Sequence, residues 1–71
     1  MTKAQFKKLR VGDRVRLSKR VEAGKKYDGM TLLPGMIDSL PGGVVIRINH
    51  PDAVQAGKQG YWYTRQMLMP V

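Results

Sequence analysis

The sequence predicts a small all-β domain of about five short strands, and three stretches predict it. Arg14-Val15-Arg16-Leu17-Ser18 alternates charged and apolar residues with the period of two that a half-buried strand requires. Val44-Val45-Ile46-Arg47-Ile48 is β-branched at every position but Arg47, which suits a pleated surface. Gly60-Tyr61-Trp62-Tyr63-Thr64 sets three of the chain's five aromatic residues side by side. A strand sends such neighbours to opposite faces, one into the core and one outward.

Seventy-one residues make one domain, 1–71, near the lower limit for an unaided core. A chain of this size buries only about 60% of its unfolded surface. It has no cysteine, so no disulfide staples it. No apolar run reaches the length of about 18 residues that a membrane span needs. Lysines near the N-terminus lead into no apolar segment of signal-peptide type. A cytoplasmic, soluble monomer is the expectation.

Charge is unevenly placed. Residues 1–26 carry ten of the thirteen Lys and Arg residues against Asp13 and Glu22. Residues 27–71 balance Arg47, Lys58 and Arg65 against Asp28, Asp38 and Asp52, so the whole net charge of +8 sits in the first third. Such asymmetry favours a polyanionic partner, either nucleic acid or an acidic protein surface. The plainer alternative is a surface that only keeps the chain soluble.

Taken in order, residues 1–10 form a basic N-terminal extension. Thr2-Lys3-Ala4-Gln5 has the form of a capping box, and Phe6 and Leu9 lie one helical turn apart. A short helix over residues 3–9 needs both docked on the domain, because so short a helix is marginal alone. A frayed basic tail is the alternative. Val11-Gly12-Asp13 reads as a turn. In the strand that follows, Val15 and Leu17 point inward, Arg14 and Arg16 outward.

Residues 19–35 lack clean alternation and read as one long excursion loop carrying Lys19, Arg20, Lys25 and Lys26. Tyr27, Met30 and Leu32 or Leu33 tuck it onto the domain. Loops of this length are usually functional or partly disordered, and four cations favour function. Met36–Leu40 reads equally as a strand or one turn of helix. Pro41-Gly42-Gly43 is a turn. In the strand Val44–Ile48, Arg47 marks the outer face with Val45, leaving Val44, Ile46 and Ile48 inward. Asn49–Asp52 turns, and a short helical turn starting at Asp52 stops at Gly57. The aromatic strand then runs into a single helical turn, Arg65–Leu68, and a short last strand, Met69–Val71.

These features together resemble a known pattern. A Val-Gly-Asp-Arg-Val-Arg opening strand precedes a long loop, a Gly-Gly turn and an apolar strand. An aromatic strand, a single turn and a Tyr-Trp-Tyr-Thr-Arg-Gln-Met-Leu-Met-Pro ending follow. Over residues 9–70 the chain resembles an SH3-like small β-barrel of the KOW or Mind-bomb-repeat kind. It is most similar to small barrels encoded by phages and prophages. The family's second strand, of Gly-x-x-Gly-x-Ile form, has no clear counterpart near residues 35–43. The resemblance implies a barrel fold and no single function, since such barrels serve unrelated tasks.

Enzyme chemistry finds little material. His50 is the sole histidine, and without cysteine there is no zinc constellation. The carboxylates are scattered, so a two-carboxylate acid–base site is not provided. Ser18 and Ser39 have no oriented base. Gly24-Lys25-Lys26 lacks the spacer and closing Ser or Thr of a phosphate loop. The expectation is a non-enzymatic binding module with no catalytic residue, metal, cofactor or small-molecule substrate.

Cations near aromatic rings equip a chain for single-stranded nucleic acid, the cations tracking phosphate and the rings stacking on bases. The candidates are Arg14, Arg16 and Arg47 on outer sheet faces, Lys19, Arg20, Lys25 and Lys26 on the loop, and Tyr61 and Tyr63. A tyrosine hydroxyl favours a wet end, which assigns the two tyrosines outward and Trp62 to the core. The opposite parity would leave Trp62 as the exposed anchor, and in a third arrangement all three rings close the core. Low-specificity contact with nucleic-acid phosphates is the first functional expectation. The alternative is a phage-type small protein that binds a host protein and modulates or inhibits it.

Overall fold

The structure is a computed structural model that describes residues 1–40, 43, 45–50 and 53–71, apart from the side chains of Ile46, Arg47, Asn49 and His50. It is β-rich, with seven short strands among the described residues, two short helices and one 3-10 turn.

Helix α1 (Lys3–Lys7) forms where the capping box predicts it. Thr2 Oγ1 accepts from Gln5 N at 3.1 Å, and Thr2 N donates to Gln5 Oε1 at 2.9 Å. These bonds satisfy two otherwise orphaned donors of the first turn. Phe6 and Leu9 pack half-buried against the core and hold the helix down. Asp13 Oδ2 then accepts from Arg10 N at 2.8 Å and closes the turn into β1 (Val15–Leu17).

Strand β1 is the seam of the fold. It runs antiparallel to β7 (Leu68–Pro70), with Arg16 opposite Met69. Its leading end is also bonded to β4 (Val45–His50): Gly12 N and Val45 N donate to Val45 O and Asp13 O, each at 2.8 Å, and Val15 N donates to Gly43 O at 2.9 Å. Strands β4, β5 (Ala53–Ala56) and β6 (Tyr61–Thr64) form an antiparallel three-stranded sheet in that order. The strand pairing of the described residues does not close into a continuous barrel.

The long excursion is not structureless. It contains a hairpin of β2 (Lys26–Tyr27) and β3 (Met30–Thr31). Asp28 and Gly29 both have positive φ, 48° and 84°, the backbone that a two-residue hairpin of type I′ needs and that Asp-Gly supplies. Leu32 behind it is fully buried. Residues 36–40, open between strand and helix, belong to α2 (Pro34–Ser39) and its cap Leu40. Proline at the first helical position is preset for that start.

Two further expectations are corrected. Residues 53–56 form the central strand of the sheet, not a helical turn. Neighbours on both sides bond to β5, and that pairing overrides the weak strand preference of its two alanines. In β4, Val45 is fully buried and Ile48 is 40% exposed, the reverse of the expected parity. Six residues of β4 oppose four of β5, with register shifts between Val45 and Arg47 and between Arg47 and His50. Each added residue breaks the two-residue alternation. Pro41, Gly42, Val44, Pro51 and Asp52, on which the expected turns and strand start partly rest, lie outside the described residues, as does the side chain of Ile46.

The core comprises Val15, Leu32, Met36, Leu40, Val45, Val54, Ala56, Tyr63, Met67 and Leu68. It draws on the β1–β7 pair, the three-stranded sheet, the excursion, α2 and the 3-10 turn. No helix among the described residues is long and apolar enough to cross a membrane.

Candidate nucleic-acid interface

The aromatic strand has the parity opposite to the expected one. Tyr63 is fully buried and Tyr61 packs half-buried against the core, while Trp62 on the other face is half-buried. The wet-end premise fails because the core supplies polar partners. Tyr63 Oη lies 2.6 Å from Ser39 Oγ and donates to Met36 O at 2.8 Å. Desolvation raises the Tyr63 pKa above its ordinary value, and the Ser39 hydrogen bond opposes that rise in part. Tyr63 is therefore a structural residue and not an outward ring. Tyr61 keeps partial exposure, its ring lying against Gly35.

The cations fare differently. Arg14, Arg16, Lys19, Arg20, Lys25 and Lys26 are all exposed. The backbone of Arg47 lies in β4 opposite Gln55, but its side chain lies outside the described residues. Lys25 Nζ sits 3.0 Å from Glu22 Oε2. That carboxylate's hydrogen bond and charge raise the Lys25 pKa above its ordinary value, so Lys25 stays charged.

Two groups emerge along β1. At its leading end, a groove of about 510 Å³ between α1 and the β1–β7 pair has Lys8 and Arg14 in its walls, with Asp13 beside them. Lys3, Lys7 and Arg10 are exposed nearby in sequence. These cations are not among the sequence candidates, because a frayed tail competes with the helix there; the capping box and the Phe6–Leu9 spacing are the signal that places them on the surface of the domain.

Beyond the trailing end of β1 lie Lys19 and Arg20, then the hairpin cations Lys25 and Lys26. The excursion is pinned at both base and tip to the 3-10 turn Arg65–Met67. Ser18 N donates to Met67 O at 2.8 Å, and Asp28 N donates to Gln66 Oε1 at 2.9 Å. Thr64 Oγ1 adds a 3.4 Å bond to Tyr27 O, and Tyr27 Oη accepts from Glu22 N at 2.7 Å. The loop cations therefore stand on an ordered support. Among the described residues, no group of three or more His, Cys, Asp and Glu is placed to hold a metal ion.

Exposed guanidinium and ammonium groups of this kind can bind phosphate, whereas the β6 rings are buried at Tyr63 and half-buried at Tyr61 and Trp62. Stacking contributes about 1–3 kcal/mol per base where a ring is available, and Tyr63 is not. No protein-family model, curated protein or solved structure matches this chain.

Proposed function

We propose that this chain is a non-enzymatic binding module whose basic surface contacts nucleic-acid phosphates with low sequence specificity. One observation carries the reading. Six cations from the charged first third are exposed on β1, on the β2–β3 hairpin and on the backbone flanking them, and among the described residues only Lys25 of the six is in an ion pair. An SH3-like small barrel of the phage-encoded kind is the fold proposed with it. Support comes from the chain order: β1, a long excursion, three antiparallel strands, a 3-10 turn and a last strand returning beside β1. The protein acts in this reading as a cytoplasmic monomer, without metal, cofactor or small-molecule substrate.

Low specificity follows from element size. Five residues of α1 rise only about 7.5 Å, too little to lay a recognition helix along a major groove. Charge reversal at Arg14 and Arg16 tests the reading: affinity falls by the same factor on unrelated sequences. Unchanged affinity in the doubly reversed variant refutes it.

A protein partner is the second reading. Leu33 and Ile37, 51% and 40% exposed, stand four residues apart at α2 and so share one face. A partner retained by the tagged protein after nuclease treatment, and lost on Ile37→Asp, would favour it.

A further inference from the structure

The nature of the nucleic acid follows from which side chains the fold leaves outside. Single-strand binders combine a cationic groove with rings on which successive bases stack. Here Tyr63 is sealed in the core, Tyr61 is packed against it, and the Tyr27 hydroxyl is bonded to the Glu22 amide. Trp62 is half-buried and lies on the opposite face of β6 from Tyr61 and Tyr63. No two neighbouring rings of β6 are therefore presented together.

Cations have the opposite disposition. They stand at both ends of β1: Lys8 and Arg14 across the α1 groove, Lys19, Arg20, Lys25 and Lys26 beyond Leu17 on the pinned excursion. Arg14 and Lys19 flank β1, three residues of strand that cover about 10 Å at a strand's rise per residue. A rigid duplex offers phosphates at one charge per about 1.7 Å of axis, twice the linear density of one strand. Cations held apart on the surface gain most from a polyanion of high, fixed charge density, and a strand whose rings are split between two faces, with Tyr63 buried, offers a single strand no run of stacking partners.

We infer that the basic surface takes a nucleic-acid duplex by its phosphates, with both cation groups in contact, and does not stack single-stranded bases. This rests on the nucleic-acid reading above and narrows it.

The test uses the full chain, a labelled short duplex and its separated strands, at low and moderate salt. Binding is read by anisotropy, and Trp62 emission is read in the same samples. The duplex binds several-fold more tightly, and the single strand leaves Trp62 emission unquenched. With about five phosphate contacts the log–log salt slope is roughly −4.5 on duplex and −3.5 on single strand. Lys7→Gln with Lys8→Gln, and Lys25→Gln with Lys26→Gln, each weaken duplex binding and flatten its slope. Tighter single-strand binding with Trp62 quenching overturns the duplex inference and leaves the nucleic-acid reading standing. A slope moved by only one of the two pairs overturns the two-group contact. Absence of binding to either form at low salt overturns both readings.

Discussion

The Tyr63 hydroxyl lies 2.6 Å from Ser39 Oγ, inside the core, joining β6 to the last turn of α2. Both hydroxyls also reach Met36 O, at 2.8 Å from Tyr63 and 3.1 Å from Ser39. Two hydroxyl protons thus serve three oxygens. This cluster lets a tyrosine fill the core of a very small domain at little polar cost, and removes its ring from any ligand surface.

Removing one member tests that role. Tyr63→Phe leaves Ser39 bonded to Met36 O but loses the buried phenol's bonds, which lowers stability by about 1–2 kcal/mol. Urea unfolding followed by Trp62 fluorescence gives the value. Ser39→Ala in a double-mutant cycle with it shows coupling, because the two groups share one network.

The same group sets an alkaline limit. Burial raises the folded Tyr63 pKa above its ordinary 10.0, so the folded state holds its proton after the unfolded chain has released it. Stability from this term is complete below pH 10 and falls as pH climbs from 10 toward the raised folded value. Tyr63→Phe shows a shallower loss of stability over that window than the parent. Equal slopes would show that Tyr63 does not govern it.

Gly57 ends β5 with φ +78°, and a Cβ there would overlap the Ser39 carbonyl oxygen. Gly24 has φ +86° but open space around it. Gly24→Ala therefore costs only the left-handed backbone term, about 1 kcal/mol. Gly57→Ala adds a backbone clash and costs more than about 2 kcal/mol. Thermal or urea unfolding of the two variants orders them.

Gln66 hooks the hairpin tip through the Asp28 amide. Gln66→Ala frees that exposed amide, and its hydrogen exchange accelerates while the Val54 amide in the central strand keeps its protection. Global stability changes little, because an exposed bond contributes about 1 kcal/mol or less.

Much of this fold was legible where local chemistry and tertiary demand agree. The Thr2–Gln5 capping box, the alternation around Val15 and the single turn at Arg65 all stand in the structure. The β2–β3 hairpin was also written locally, in Asp28-Gly29, but the polar stretch around it masks the signal. The β4 parity was not legible, since bulges arise from pairing with β5. Nor was that of β6, because the buried partners of Tyr63 come from a helix distant in sequence. Of the candidate site, exposure of Arg14, Arg16, Lys19, Arg20, Lys25 and Lys26 matches the expectation, for charge resists burial whatever the topology. The assignment of Tyr63 to the outer face did not survive.

The most direct measurement is the affinity of the full chain for a labelled duplex across a series of salt concentrations. Phosphate contact by about five cations predicts log affinity falling linearly with log salt at a slope of roughly −4.5. A flat response, or no binding at the lowest salt, would contradict the account.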